Sequence, residues 1–237
     1  MTSRPLALVT GGAHRLGKAF ALTLARMGYD IILHYHSADE EAAQTKLEAE
    51  SHGISVTLAQ ADLTDPAQIV SLVDAISQPV SILVNSAAFM PSGNVDSLSM
   101  ENWDTALDLN LRAPFLLAQS VAKKMTMGGL IVNITDVGAQ KTWSRYPSYT
   151  VSKAALESLT KLLARALAPN IRVNAIAPGF VLQSDIVTSE EWKRLINRVP
   201  LKRPARIDEL TSALEFLIQN EYITGQTIVV DGGYSLV

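Results

Sequence analysis

Tyr149 and Lys153 stand four residues apart on the strongly helical stretch Tyr149–Leu167, so both side chains leave the same helix face. A phenol titrating near its ordinary value of about 10 moves few protons at neutral pH. An ammonium beside it, with a positively charged ring nearby, favours the phenolate and lowers that value. The pair is therefore a candidate proton-handling centre, and Lys153 has the reach to grip a ribose as well. A second chemical feature lies near the start of the chain. There an apolar run ends in Thr10-Gly11-Gly12-Ala13-His14-Arg15-Leu16-Gly17 and a helical pattern begins. Glycine serves where the backbone takes a positive φ or approaches a phosphate closely. The free amides of a helix N-terminus attract a pyrophosphate. Alone, such a turn can be purely structural; upstream of a proton-handling pair, it points to hydride chemistry with a dinucleotide.

The end of the second apolar run bears on which dinucleotide. NAD-specific sites usually place an Asp or Glu there, accepting from the ribose 2′-hydroxyl. Here the run ends in His34-Tyr35-His36-Ser37, and the first acid, Asp39, falls within the next helix. With no carboxylate to repel it, a 2′-phosphate finds Arg15, His34 or His36, and Ser37. The expected cofactor is NADP(H), although each histidine can equally be an ordinary strand-end residue. Asp62, in Ala61-Asp62-Leu63, is placed to recognise an adenine amino group and also suits a helix start. Asn85-Ser86-Ala87-Ala88 closes the fourth run with small residues, which allow either close cofactor approach or tight packing against a helix.

These residues need a scaffold. Strand patterns fall at Leu6–Thr10, Asp30–His34, Ser55–Gln60, Val80–Asn85, Gly129–Thr135, Arg172–Ile176 and Thr227–Val230. Helical patterns fall between them, at Leu16–Met27, Ala38–His52, Pro66–Ile76, Glu101–Lys124, Tyr149–Leu167 and Asp208–Gln219. Such alternation predicts a parallel sheet with helices on both faces, and continuous apolar strands fit burial on both sides. The expected fold is a single α/β domain spanning residues 1–237, a Rossmann-like doubly wound parallel sheet of about seven strands. Ligands of such sheets bind beyond the carboxyl ends of the strands. The irregular region 178–201 is therefore a candidate substrate lid.

Composition removes several alternatives. The chain has 237 residues, a formal net charge of −3 and no cysteine. Disulfides, thiol nucleophiles and cysteine-ligated metals are excluded, and no metal site is expected. Basic residues are scattered rather than grouped, which argues against a nucleic-acid partner. No apolar run approaches the roughly 20 residues of a membrane span, and no signal-peptide pattern precedes the first strand. A cytoplasmic protein acting on a small molecule is expected.

Taken in order, the motifs resemble those of the short-chain dehydrogenase/reductase family: Thr10-Gly11, Arg15-Leu16-Gly17, Asp62, Asn85-Ser86-Ala87, Asn110, Tyr149-x-x-x-Lys153, Pro178-Gly179 and Val230-Asp231-Gly232-Gly233. The resemblance implies that Tyr149 is the general acid/base and that Lys153 lowers its pKa while binding the ribose. It also implies that Asn110 helps hold a relay water, that Pro178-Gly179 borders the nicotinamide, and that the chain forms homodimers or homotetramers. The apolar ending Tyr234-Ser235-Leu236-Val237 fits a buried subunit contact.

Two departures narrow the resemblance. Arg15 stands where the family usually has a second glycine, and Asp136 replaces the usual serine thirteen residues before the tyrosine. Both are similar to the pteridine reductase branch, which includes dihydromonapterin reductase-like and dihydrofolate reductase-like members. A serine hydroxyl suits a ketone oxygen, whereas a carboxyl group suits the ring nitrogens and amino group of a pterin. Arg15, Phe89, Asp136 and Tyr149 are the expected substrate residues. Met90 is an alternative to Phe89, simple packing is an alternative role for that aromatic ring, and Asp136 can also read as a turn cap. The expectation is NADPH-dependent reduction of a dihydropterin. A carbonyl reductase of the same family is the alternative. A non-catalytic NADP-binding sensor would need a broken centre, whereas Asn110, Tyr149 and Lys153 are all present.

Overall fold

A computed structural model describes residues 4–184 and 187–237. The strands are β1 (Leu6–Thr10), β2 (Asp30–Tyr35), β3 (Val56–Gln60), β4 (Val80–Asn85), β5 (Met125–Ile134), β6 (Ile171–Pro178) and β7 (Thr227–Val230). The helices are α1 (Arg15–Arg26), α2 (Asp39–Glu50), α3 (Pro66–Asp74), α4 (Met100–Leu107), α5 (Ala113–Val121), α6 (Gly138–Lys141), α7 (Pro147–Leu167), α8 (Ser189–Ile196) and α9 (Ile207–Gln219). The seven strands form one parallel sheet in the order β3-β2-β1-β4-β5-β6-β7. The order reverses between β1 and β4, which is where a doubly wound sheet opens a crevice at its carboxyl edge.

Strand side chains alternate between the two faces, and both faces are covered. Ala7, Val9, Leu33, Val84 and Val132 pack with Phe20 and Leu24 of α1 and Leu210, Leu214 and Leu217 of α9. Leu8, Ile32, Leu83, Ile131 and Val173 point the other way, against Ile69 of α3, Leu117 of α5 and Leu163 of α7. This double burial explains the uninterrupted apolar runs.

Most expected elements lie within two residues of their observed bounds. The stretch expected as one helix over 101–124 differs. It runs as α4, a π-helical turn at Asp108–Arg112, then α5 and a short 3-10 turn at Ala122–Lys124. The cause is Pro114, which lacks an N–H and whose ring would clash with the carbonyl four residues back, that of Asn110. Strand β5 also begins earlier than expected, at Met125. The region 178–201 is less irregular than its composition suggested, because it contains α8. Thr188 caps that helix by accepting from the Glu191 N–H. Acids stand in its first turn and Lys193 and Arg194 in its last, matching the helix dipole. No helix among the described residues is long and apolar enough to cross a membrane.

Candidate active site

Residues at the carboxyl ends of β5 and β6 and on α7 converge on one buried point. The Tyr149 hydroxyl donates to Asp136 Oδ2 at 2.9 Å, and the Gly138 N–H donates to Asp136 Oδ1 at 2.6 Å. Lys153 Nζ donates to the Ile134 carbonyl at 2.7 Å and lies 5.7 Å from the Tyr149 ring centroid. Gly138 is required here: a Cβ on it would come within 2.8 Å of the Trp143 ring and 3.0 Å of Asp136 Oδ1.

Burial dominates the charges of this cluster. It raises the Asp136 carboxyl from 3.8 to about 6, against the opposing pull of the Gly138 N–H, the Tyr149 hydroxyl and Lys153. It lowers Lys153 to about 8, with Asp136 holding it up. Tyr149 departs from expectation. Its pKa is pushed well above 10, first by burial and then by Asp136. Lys153 does not lower it, because the carboxyl group is hydrogen-bonded to the phenol while the ammonium sits over the ring. In this arrangement Asp136 and Lys153, not Tyr149, titrate nearest neutrality.

Asn110 lies in the π-helical turn and is fully buried. Its side chain accepts from the Phe89 N–H at 2.8 Å and donates to the Phe89 carbonyl at 2.8 Å and to Ser152 Oγ at 3.0 Å. It thus pins the loop carrying Phe89 and Met90, both of which line the cleft.

At the other end of the cleft, the glycine turn is held by contacts that the sequence did not disclose. Thr10 Oγ1 accepts from the N–H groups of Ser86 and Ala87 and joins the ends of β1 and β4. A Cβ on Gly17 would fall 1.9 Å from the Gly11 carbonyl oxygen, so the first turn of α1 can close against the loop only with glycine there. Helix α1 has no side-chain cap and no acid in its first turn, which leaves its leading amides open to an anion. Arg15 adopts φ +52°, a left-handed backbone at the usual glycine position, and donates to the Leu182 carbonyl across the cleft at 3.2 Å.

Of the two candidate histidines, His34 is not available to a phosphate. Its Nδ1 accepts from the Gly11 N–H at 3.2 Å, and its Nε2 meets the Ala61 carbonyl at 3.0 Å, so the ring is neutral with its proton on Nε2. Burial lowers its pKa to about 4. His34 is a strut beneath the turn, whereas Tyr35, His36 and Ser37 line the cleft beside it. Asp62 Oδ1 accepts from both the N–H and the hydroxyl of Thr64, while the cap of α3 is Asp65. Asp62 and Leu63 also line the cleft. Asn85 Nδ2 donates to Asn133 Oδ1, which ties the ends of β4 and β5, while Asn85 Oδ1 is buried without a partner.

A single cleft of about 1790 Å³ joins the two ends, and Gly11, Leu16, Ser86, Ala87, Pro178 and Gly179 all contribute to it. Its far wall is aromatic. Phe180 stacks with Trp143 at 6.5 Å between centroids and meets Trp192 at 5.7 Å and Tyr234 at 4.7 Å. Sequence reading did not assign Trp143, Trp192 or Tyr234 to the site; their only signal was membership of the segments after β5, β6 and β7. The tail also turns inward. Tyr234 is buried, and the Val237 main-chain oxygen accepts from Lys141 inside the cleft. Leu236 and Val237 are exposed, while Tyr234 joins the wall of this chain's own cleft.

A family model described as Enoyl-(Acyl carrier protein) reductase matches residues 11–235. A 1-cyclohexenylcarbonyl-CoA reductase from Streptomyces collinus is 33% identical, covering 99% of this chain and 88% of its own. A 3-oxoacyl-(acyl-carrier-protein) reductase FabG from Staphylococcus aureus is 31% identical over 96% of each. Among solved structures, FolM alternative dihydrofolate reductase 1 from Brucella canis, complexed with NADP, superposes with a TM-score of 0.92 at 36% identity. That likeness covers 100% of this chain and 96% of the other. With motifs, sheet order and relatives in agreement over nearly its whole length, the chain belongs to the short-chain dehydrogenase/reductase family and is an oxidoreductase.

Proposed function

We propose that the protein is an NADPH-dependent reductase that transfers hydride to a dihydropterin or related pteridine. The observation that carries this reading is the buried carboxyl of Asp136, 2.9 Å from the Tyr149 hydroxyl, where the family usually has a serine. The cleft suits NADP(H): the open amides of α1 and the close fit at Gly17 accept a pyrophosphate, and Tyr35, His36 and Ser37 offer a 2′-phosphate no carboxylate. Bound there, the cofactor supplies the hydride. Likeness to a dihydrofolate reductase solved with NADP supports both parts of the reading.

The chain's own residues manage the proton. A carboxyl that titrates near 6 keeps a usable protonated fraction near neutrality. It can donate to a ring nitrogen or hold the amino-pyrimidine edge. Once it has given up its proton, the remaining carboxylate is stabilised by the Gly138 N–H, the Tyr149 hydroxyl and the Lys153 ammonium. Phe89 and the aromatic wall offer flat surfaces to a planar ring. Holding ring and hydride donor in contact supplies most of the rate, and proton delivery a smaller part.

A relative named as a 3-oxoacyl-(acyl-carrier-protein) reductase favours a second reading, reduction of the 3-keto group of an acyl thioester. It uses Tyr149 and Lys153 equally well but gives Asp136 no task. NADPH oxidation with dihydrobiopterin, dihydromonapterin and dihydrofolate, beside a panel of ketones, quinones and acyl thioesters, separates the two. Pterins should be the best substrates, and Asp136→Ser should depress pterin turnover more than carbonyl turnover. Activity confined to carbonyls would refute the pteridine reading and leave the oxidoreductase intact. We further propose a cytoplasmic homodimer or homotetramer, with Phe115 of α5 and Val151 and Leu162 of α7, all exposed, on its contact faces.

A further inference from the structure

We propose that the outer end of the cleft, beyond the aromatic wall, is a subsite for an anionic tail on the substrate, and that Arg145, Arg198 and Lys202 determine the preference for it. This rests on the pteridine reading for the identity of the ring, but not for the charge of the tail.

The cleft is not uniformly charged. Its 2′-phosphate end lies past β2 and β3, whereas the segments that follow β5 and β6 are four strands away on the sheet, or roughly 19 Å. Those segments bring Lys141, Arg145, Arg198 and Lys202 to the lining, against Asp136 at the end of β5 and Glu191 as their acids among the described residues. This concentration of cations occurs in a chain whose net charge is −3. Lys141 is already engaged by the Val237 main-chain oxygen and the Tyr234 ring. Arg145 reaches Glu191 only at 3.9 Å, and its side chain is 71% exposed. Lys202 donates to the Asn197 carbonyl at 2.6 Å and has no acidic partner among the described residues. Among the described residues Arg198 makes no ion pair or side-chain hydrogen bond. Cations left unpaired around the mouth of a low-dielectric cleft focus field on whatever enters it. Trp143 packs at Gly138 beside Asp136 and contacts Phe180, which contacts Trp192. Arg145 lies two residues past Trp143 and reaches Glu191 next to Trp192, so a substrate seated at Asp136 with a side chain extended along this wall brings its tail to these cations. The ligand chemistry is a carboxylate or phosphate carried some distance from the reducible ring. Glutamyl-tailed pterins and phosphorylated pterins share it; pterins with neutral polyol side chains do not.

The test compares KM for dihydrofolate, its triglutamate, a dihydropterin phosphate ester and neutral dihydrobiopterin. The enzymes are the wild type, Arg145→Gln/Arg198→Gln, and a control that loses the same charge elsewhere, Lys46→Gln/Lys123→Gln. The rim variant should raise KM about tenfold for the anionic substrates, or about 1.4 kcal/mol, with kcat unchanged and dihydrobiopterin unaffected. Added salt should shrink the wild-type preference toward that of the variant. Whether the triglutamate or the phosphate ester responds more identifies the tail. Equal KM changes for neutral and anionic pterins, or the same change in the control, would overturn the subsite while leaving pterin reduction standing. If no pterin is reduced, the same variants are compared on an acyl-CoA and its uncharged N-acetylcysteamine thioester. Loss of preference for the CoA form then upholds the anionic subsite after the pteridine reading has failed, and an unchanged preference overturns it.

Discussion

Replacing Asp136 with Asn should make the protein more stable and a poorer pterin reductase. Burial lifts the Asp136 carboxyl from 3.8 to about 6, and each pKa unit is worth about 1.36 kcal/mol. At pH 7, holding this group ionised in the folded state therefore costs roughly 3 kcal/mol. The sign follows from proton binding. Between pH 3.8 and about 6 the folded protein holds the proton more tightly than the unfolded chain. The penalty is therefore absent in acid, grows across that window and is full above it. Asparagine fits the same space and keeps an oxygen for the Gly138 N–H, but the bond from the Tyr149 hydroxyl must be rearranged at a cost of about 1 kcal/mol. The net gain is about 2 kcal/mol, which for a chain of this size raises Tm by roughly 4 to 8 °C. Thermal unfolding of both proteins without cofactor should show that gain at pH 7.5 and lose it near pH 4. Pterin turnover should meanwhile fall by about 10² to 10⁴, the usual range for a lost general acid. The wild-type descent in rate as pH rises through about 6 should vanish in the variant. A variant less stable than wild type at pH 7.5, or one turning over pterin within twofold of it, would refute this account of Asp136.

Three further outcomes follow from the same geometry. Tyr149→Phe removes the hydroxyl that steadies Asp136 and should abolish most dihydropterin reduction in steady-state assays; unchanged turnover would take Tyr149 out of the mechanism. Ser37→Asp places a carboxylate at the end of β2 and should shift the ratio of kcat/KM values from NADPH toward NADH by at least tenfold. His34→Leu should leave that ratio alone yet cost about 1–3 kcal/mol in denaturant unfolding, because the Gly11 N–H and Ala61 carbonyl lose buried partners. Since His34 stays neutral down to about pH 4, the wild type should also lose stability as pH falls from 6.5, and His34→Leu should lose less.

Much of this molecule was legible in one dimension because its signals are local. The period of the apolar runs marked seven strands, and burial on both sheet faces is why those runs are continuous. The glycine turn, the Tyr149/Lys153 spacing and the absence of an acid at the end of β2 each depend on neighbours only a few residues apart. The break near Pro114 was passed over in the single helix expected over 101–124, although a missing N–H is as local a signal as the others.

What tertiary structure decided concerns groups brought together from distant segments, above all their protonation. His34 and His36 are nearly alike in sequence, but only folding closes the Gly11 N–H and the Ala61 carbonyl onto His34 and withdraws it from the phosphate end. The aromatic wall gathers residues that follow three different strands. The departure at Tyr149 has the same origin. Spacing along α7 put a lysine near a phenol and implied a lowered pKa, but the end of β5 brings Asp136 onto the hydroxyl in a buried place. Desolvation and a facing carboxylate both act through space, at distances no sequence spacing encodes.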